Sequence, residues 1–230
     1  MSKITTCIFD AYGTLFDVNA AARAVAARGA HEGFAKIWPA VSAQWRVKQL
    51  EYTWLRTLMD AHLDFWQITQ DGLDWALEAN DCHDPDLREA LLSVYWNLPA
   101  FPEVPVMLQT LKEGGFQTGI LSNGSTDMLA GAVTSAGVGA QLDAVLSVDE
   151  VAVFKPRAEV YDLVGQQFGC MRDEVLFVSS NAWDVAGASH YGFRALWVNR
   201  SNLPMDRLGA MPQLEVTTLT DVPQIAQEGL

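Results

Sequence analysis

Between residues 118 and 199 four short apolar runs recur, with helical stretches between them. They are "TGILS" (118–122), "AVLS" (144–147), "EVLFVS" (174–179) and "RALWVN" (194–199). None alternates polar with apolar, so none has a solvated face. Such strands, joined by helices, imply a parallel sheet covered on both sides. Ile4 to Phe9 reads as a further strand, β-branched and closed by Gly13. Helices are expected from about Ser125, after Pro156 and near Trp183 to Tyr191, with Pro156 suited to a first helical position.

The pattern breaks once. From about Asn19 to Trp96 the chain reads as helical throughout, between the first strand and the second. Its clearest helix spans Ser42 to about Asp60, where Val47, Leu50, Trp54 and Leu58 recur at three- to four-residue spacing and mark one apolar face. Trp38, Trp45, Trp54, Trp66, Trp75 and Trp96 lie in this block and read as helix–helix packing. "NLPAFPEVP" (97–105), with three prolines, reads as the connector back to the sheet. The expected division is therefore a core of residues 1–16 and 97–230 and a helical cap subdomain of residues 17–96. At 230 residues and 50% hydrophobic, the chain has material for both.

Ligands bind such sheets at the strands' carboxyl ends. Polar residues collect there: Asp10 and Thr14 after the first strand, Ser122 and Asn123 after the next, Lys155 before a later helix, and Ser179, Ser180, Asn181 and Asp184 after "EVLFV". Singly, each is an ordinary turn, cap or solvated residue. Their convergence on one sheet edge is what points to a site. His31, His62 and His83 lack metal-ligand spacing and read as surface residues, and His190 as structural.

Net charge is −13, which argues against nucleic acid and anionic membrane as partners. Cys7, Cys82 and Cys170 are widely spaced and read as reduced thiols of a cytoplasmic protein. The N-terminal apolar stretch is too short for a signal peptide, and no run approaches membrane length.

"FDAYGTLFDV", "LSNGS", "FKP" and "FVSSNAWD" together resemble the four motifs of the haloacid dehalogenase superfamily. "WRVKQLEYTWLR" and "SSNAWD" narrow the likeness to its L-2-haloacid dehalogenases. The resemblance implies an α/β fold, a Rossmann-like parallel sheet core flanked by helices with an inserted cap. It implies that Asp10 is a nucleophile forming an ester with C2 of a short 2-haloacid as halide departs. The ester would then be hydrolysed, turning an L-2-haloacid into a D-2-hydroxy acid.

Two departures from the superfamily's phosphatases fit that chemistry. Tyr12 stands where they carry a second Asp. A phenol, with an ordinary pKa of about 10, is a poor acid at neutral pH. An alkoxide needs a proton to leave; a halide does not. Ser179, Ser180 and Asn181 stand where those enzymes gather acids, leaving few acceptors for a hard cation. Neither metal nor cofactor is expected. Lys155 would balance the charges of Asp10 and Asp184 and stabilise an oxyanion. Thr14 would bind the nucleophile, and Ser179, Asn181 and Asp184 would hold the hydrolytic water. Ser122 and Asn123 would hold the substrate carboxylate. Arg46, on the face of Leu50, would capture halide and carboxylate from above, its alternative being a cap-to-core salt bridge. Leu50, Phe65 and Trp183 would wall the pocket beside Tyr12, and Tyr161 would hydrogen-bond near the substrate. A homodimer is expected. The rival readings are a magnesium-dependent phosphatase and a non-catalytic binding protein.

Overall fold

The computed structural model describes residues 2–31 and 33–229. Strand β1 (Thr6–Phe9) has no side chain in contact with water. It lies inside a six-stranded parallel sheet with β2 (Gln117–Ser122), β3 (Ala144–Ser147), β4 (Val175–Ser179), β5 (Arg194–Val198) and β6 (Leu214–Val216), in the order β3-β2-β1-β4-β5-β6. This is the Rossmann-like α/β architecture, and β6 had no counterpart among the expected strands. The order reverses at β1, whose neighbours β2 and β4 belong to opposite halves of the sheet. Phe9 is in register with Ile120 and Val178, and the Asp10 amide donates to the Val178 carbonyl at 2.9 Å. The residue after β1 is thereby pinned at the switch point, where open parallel sheets hold their ligands.

After β1, and before α5 leads into β2, stand α1 (Ala20–Arg28), α2 (Phe34–Leu58), α3 (Phe65–Glu78) and α4 (Pro85–Tyr95). Asp64 caps α3 by accepting from the Gln67 amide, and Asp84 caps α4, which carries Pro85 in its first turn. Helix α2 starts eight residues before the expected Ser42 and runs through Pro39, its first turns seated by fully buried Phe34 and Val41. Its buried face is not the expected one. Val47 and Leu58 are exposed, Leu50 and Trp54 half-buried, and the inward stripe is Ser42, Trp45, Gln49 and Thr53. Hydrogen bonds from α3 and α4 satisfy Gln49 there, so the polar residues stay inside at little cost.

Helices α5 (Val104–Glu113), α6 (Thr126–Ala136), α7 (Ala158–Phe168), α8 (Ala182–Tyr191) and α9 (Val222–Glu228) complete the chain. Helix α5 begins inside the proline-rich connector. Pro156 is not a first helical residue: it follows a cis bond from Lys155, and α7 begins two residues later. No described helix is long and apolar enough to cross a membrane.

Candidate active site

The turn after β1 is built around one carbonyl. Ala11 O accepts from the amides of Thr14, Leu15 and Phe16 at 3.3, 2.9 and 3.0 Å. Gly13 takes φ of +89°, and a Cβ there would stand 3.2 Å from Ser180 Oγ, so the position suits only glycine. This turn folds Thr14 back over Asp10, where its hydroxyl donates to Asp10 Oδ2 at 2.9 Å. The Ser180 amide in turn donates to Thr14 Oγ1 at 2.8 Å. Asn181 Nδ2 reaches the same Oδ2 at 2.9 Å. The other oxygen, Oδ1, accepts from Lys155 Nζ at 3.2 Å.

Lys155 is buried to its tip and also bonds Asp184 Oδ2 at 2.9 Å. Its ammonium lies 5.0 Å from the centre of the Phe177 ring, a further attraction for a desolvated cation. Asn123 Oδ1 accepts from the Lys155 amide at 3.0 Å, fixing the loop that delivers the ammonium. Ser122 Oγ accepts from the Gly124 amide at 3.0 Å. Burial pushes the Asp184 carboxyl up to about 6, against the opposing pull of Lys155. Burial alone would lower the Lys155 ammonium, but its two carboxylate partners together raise it above the ordinary lysine value.

Ser179 Oγ accepts from the Asn181 amide at 3.1 Å, so it orients the turn that carries Asn181. Tyr161, a residue of α7, is fully buried, donates to Asp184 Oδ1 at 2.8 Å and packs edge-to-face on Phe177 of β4. Arg46 crosses from α2 to the sheet edge: its Nη2 stands 3.4 Å from Tyr12 O and 3.3 Å from Asn181 Oδ1, while Nη1 donates to Gln49 Oε1 at 2.8 Å. It makes no salt bridge to the sheet half among the described residues.

Tyr12 is buried, with its ring 5.9 Å from that of Phe65 and stacked at 5.9 Å on Tyr95. Burial pushes its phenol well above the ordinary tyrosine value. Gly124 makes room for it: a Cβ there would sit 2.6 Å from Tyr12 Cε2. Trp183 meets Trp54 edge-to-face at 5.3 Å, and Leu50 lies half-buried on α2 between Arg46 and Trp54. His62 is not the surface residue expected. It is half-buried with its ring tilted at 5.1 Å from that of Phe154, the residue before Lys155, and His31 is likewise drawn in, 2.9 Å from Asp84. His190 and His83 are exposed.

A sequence model described as haloacid dehalogenase-like hydrolase matches residues 4–192. The chain belongs to this family. It is 42% identical over 228 residues to (S)-2-haloacid dehalogenase 1 of Pseudomonas sp. (strain CBS-3), covering 98% of this chain and 97% of that protein. A crystal structure described as a dehalogenase superposes with a TM-score of 0.93 at 36% identity, covering both chains completely. The L-2-haloacid dehalogenase from Xanthobacter autotrophicus with chloropropionic acid covalently bound superposes at 0.88 with 34% identity, over 99% of this chain and all of that one.

In this haloacid dehalogenase-like hydrolase, sequence reasoning passed over Gln49, Thr69 and Tyr95, and gave Ser180 no role. Gln49 stands three residues from Arg46 on one helix, so the pair was findable from spacing. Thr69 and Tyr95 come from other helices and carried no such signal.

Proposed function

We propose that this chain hydrolyses short L-2-haloacids to D-2-hydroxy acids through an ester on Asp10. The observation that carries the reading is the unequal treatment of the two Asp10 oxygens. Oδ2 is held by Thr14 and Asn181 at 2.9 Å each, whereas Oδ1 accepts one longer bond from Lys155. Oδ1 keeps electron density for attack, and the fixed Oδ2 aims it. It attacks C2 from the side opposite the halogen; the carbon–halogen pair leaves as halide, and C2 inverts. No proton is needed for that departure, which agrees with a buried phenol at Tyr12 in place of a second acid. Magnesium-dependent phosphate release would require an acid at that position to protonate the leaving alkoxide.

The second step regenerates Asp10. A water beside Asn181 and Asp184 attacks the ester carbonyl carbon, giving one proton to the Asp184 carboxylate. Thr14 and Asn181, already bonded to Oδ2, stabilise the oxyanion that forms there, with the Lys155 charge close by at Oδ1; a preorganised donor of this kind contributes roughly 3–4 kcal/mol. As the ester bond breaks, that proton passes to the departing hydroxy acid oxygen. The water's other proton is lost to solvent when Asp10 returns to its ionised form. Ser179 serves by holding the Asn181 turn. Ser122, Asn123 and Arg46 receive the substrate carboxylate and the halide, and Tyr12, Leu50, Phe65 and Trp183 enclose its alkyl group. Tyr161 keeps Asp184 aimed. Helices α1–α4 are the cap and the sheet with its helices the core.

A single turnover in ¹⁸O-water with enzyme in excess tests this route. Label belongs in the peptide bearing Asp10; label confined to the hydroxy acid would overturn the ester. We further propose a cytoplasmic homodimer. Its support is a set of exposed apolar residues, Val47, Leu55 and Leu58 on α2, Met59 directly after it and Trp75 on α3, and three free thiols.

A further inference from the structure

We propose that Gln49 is a positioning residue that aims Arg46 at the substrate, with its own orientation set from α3. The inference rests on the dehalogenase reading of the site. Gln49 is 1% exposed, yet it lies on the inward stripe of a helix with many apolar residues to spare. A buried amide persists there only if its donors and acceptor are matched. The two ends of a glutamine amide have nearly the same shape, so their partners decide which way it points.

Those partners leave one choice. Thr69 donates its hydroxyl hydrogen to the Phe65 carbonyl at 2.7 Å, one turn back on α3. Thr69 Oγ1 can therefore serve Gln49 only as an acceptor, and Gln49 Nε2 donates to it at 2.7 Å. The Tyr95 hydroxyl brackets the same amide, 3.1 Å from Nε2 and 3.3 Å from Oε1. With the nitrogen turned to α3, Oε1 faces Arg46 and accepts from Nη1 at 2.8 Å. The helices are clamped at this level. Trp45 Nε1 donates to the Thr69 carbonyl at 2.7 Å, and Gly72 lets the backbones close: a Cβ there would stand 3.2 Å from the Gln49 amide nitrogen.

Arg46 is thereby held by one half of its guanidinium. Nη1 has a short bond to a fixed acceptor, while Nη2 makes only two long contacts, to Tyr12 O and Asn181 Oδ1. The loosely held half is the half beside Tyr12 and Asn181, whose side-chain amide nitrogen bonds Asp10, and it is free to exchange those contacts for an anion. Arginine has many rotamers to lose on binding, and prepaying that loss is what a positioning residue contributes. A neutral acceptor suits the task, because a carboxylate at position 49 would cancel the charge that attracts the anion.

Gln49→Met removes the acceptor at nearly constant volume. It should raise KM for L-2-chloropropionate roughly ten- to a hundredfold, the loss typical of a hydrogen bond to a charged group, with kcat changed far less. In an Arg46→Ala background the same substitution should change KM by less than about twofold, since its effect passes through Arg46. Thr69→Val should reproduce part of the loss and Thr69→Ser should restore it, which covers the case of a Gln49 variant that fails to fold. Bromide binding, followed by tryptophan fluorescence, gives a readout without turnover. Should the wild-type protein release no halide, the dehalogenase reading falls, while weaker bromide binding by Gln49→Met still supports the positioning role. Unchanged KM and bromide affinity in Gln49→Met, or equal losses with and without Arg46, would overturn it.

Discussion

Replacing Lys155 with methionine keeps most of its volume and removes one charge from between two carboxylates. Lys155 and Asp184 side chains are wholly buried and Asp10 is 9% exposed, at 2.9 and 3.2 Å from the ammonium. Breaking a pair so placed costs about 3–5 kcal/mol, because the remaining charge has no water to turn to. Asp10 keeps Thr14 and Asn181, so the stranded charge is chiefly that of Asp184, left with the Tyr161 hydroxyl. The cost should therefore depend on pH. Asp184 already stands at about 6 with Lys155 in place, above its unfolded value of 3.8. Without the ammonium it rises further, and the folded variant takes up a proton sooner as pH falls. Each unit of that rise narrows the gap to wild type by about 1.4 kcal/mol between pH 8 and pH 5. Lys155 itself stays charged in both states over this range, because its folded value lies above the unfolded 10.5; its contribution is lost only at higher pH. Urea unfolding of both proteins at pH 5 and pH 8, followed by tryptophan fluorescence, measures the two gaps. Adding Asp184→Asn to Lys155→Met should recover stability at pH 8. Equal gaps at both pH values, with no recovery from the second substitution, would refute the charge argument and leave only lost packing.

Turnover should decline as pH falls through about 6, where Asp184 takes up a proton and can no longer accept one from water. No matching alkaline decline should follow until beyond the ordinary lysine range, because Lys155 is raised; single-turnover ester hydrolysis across pH 4.5 to 9.5 checks both limbs. Thr14→Val strips one bond from Asp10 Oδ2 and the acceptor from the Ser180 amide. It should lower kcat/KM roughly ten- to a hundredfold, and Thr14→Ser should hold near wild type in the same halide-release assay. Leu58→Asp places a charge among the exposed apolar residues of α2, where Leu58 is 81% exposed. The proposed homodimer predicts that sedimentation finds a wild-type dimer and a monomeric variant at the same concentration; a wild-type monomer, or a variant dimer, would refute it.

The strands were legible because they are short continuous apolar runs: "AVLS" is β3 to the residue, although Val145 is exposed at that edge of the sheet, so the expectation of two covered faces does not hold for this strand. The strand-tip residues were legible because an acid or amide directly after such a run has few structural reasons to be there. Asp10, Thr14, Lys155, Asn181 and Asp184 do converge within hydrogen-bonding distance of one another. Helix α2 was misread for the opposite reason. Its hydrophobicity marks an outward face, and its buried stripe carries Gln49 and Thr53, which are matched by groups on other helices. A one-dimensional pattern contains no trace of such partners. The short β6 and α9 offered too few residues for any period to emerge.

Helices α1 to α4 enter and leave the sheet through two neighbouring points, at the end of β1 and the start of α5, where the Asp17 and Phe101 amides donate to the Pro99 and Leu15 carbonyls. Every group that touches the Asp10 carboxylate comes from the other part of the chain or from the β1 turn itself. In the proposed reading, bond-making rests on that part of the chain, while Arg46, Leu50 and Phe65 of the substrate pocket are supplied by the inserted helices. A lineage can rewrite the upper stretch, and with it what enters, while the reacting atoms below keep their places.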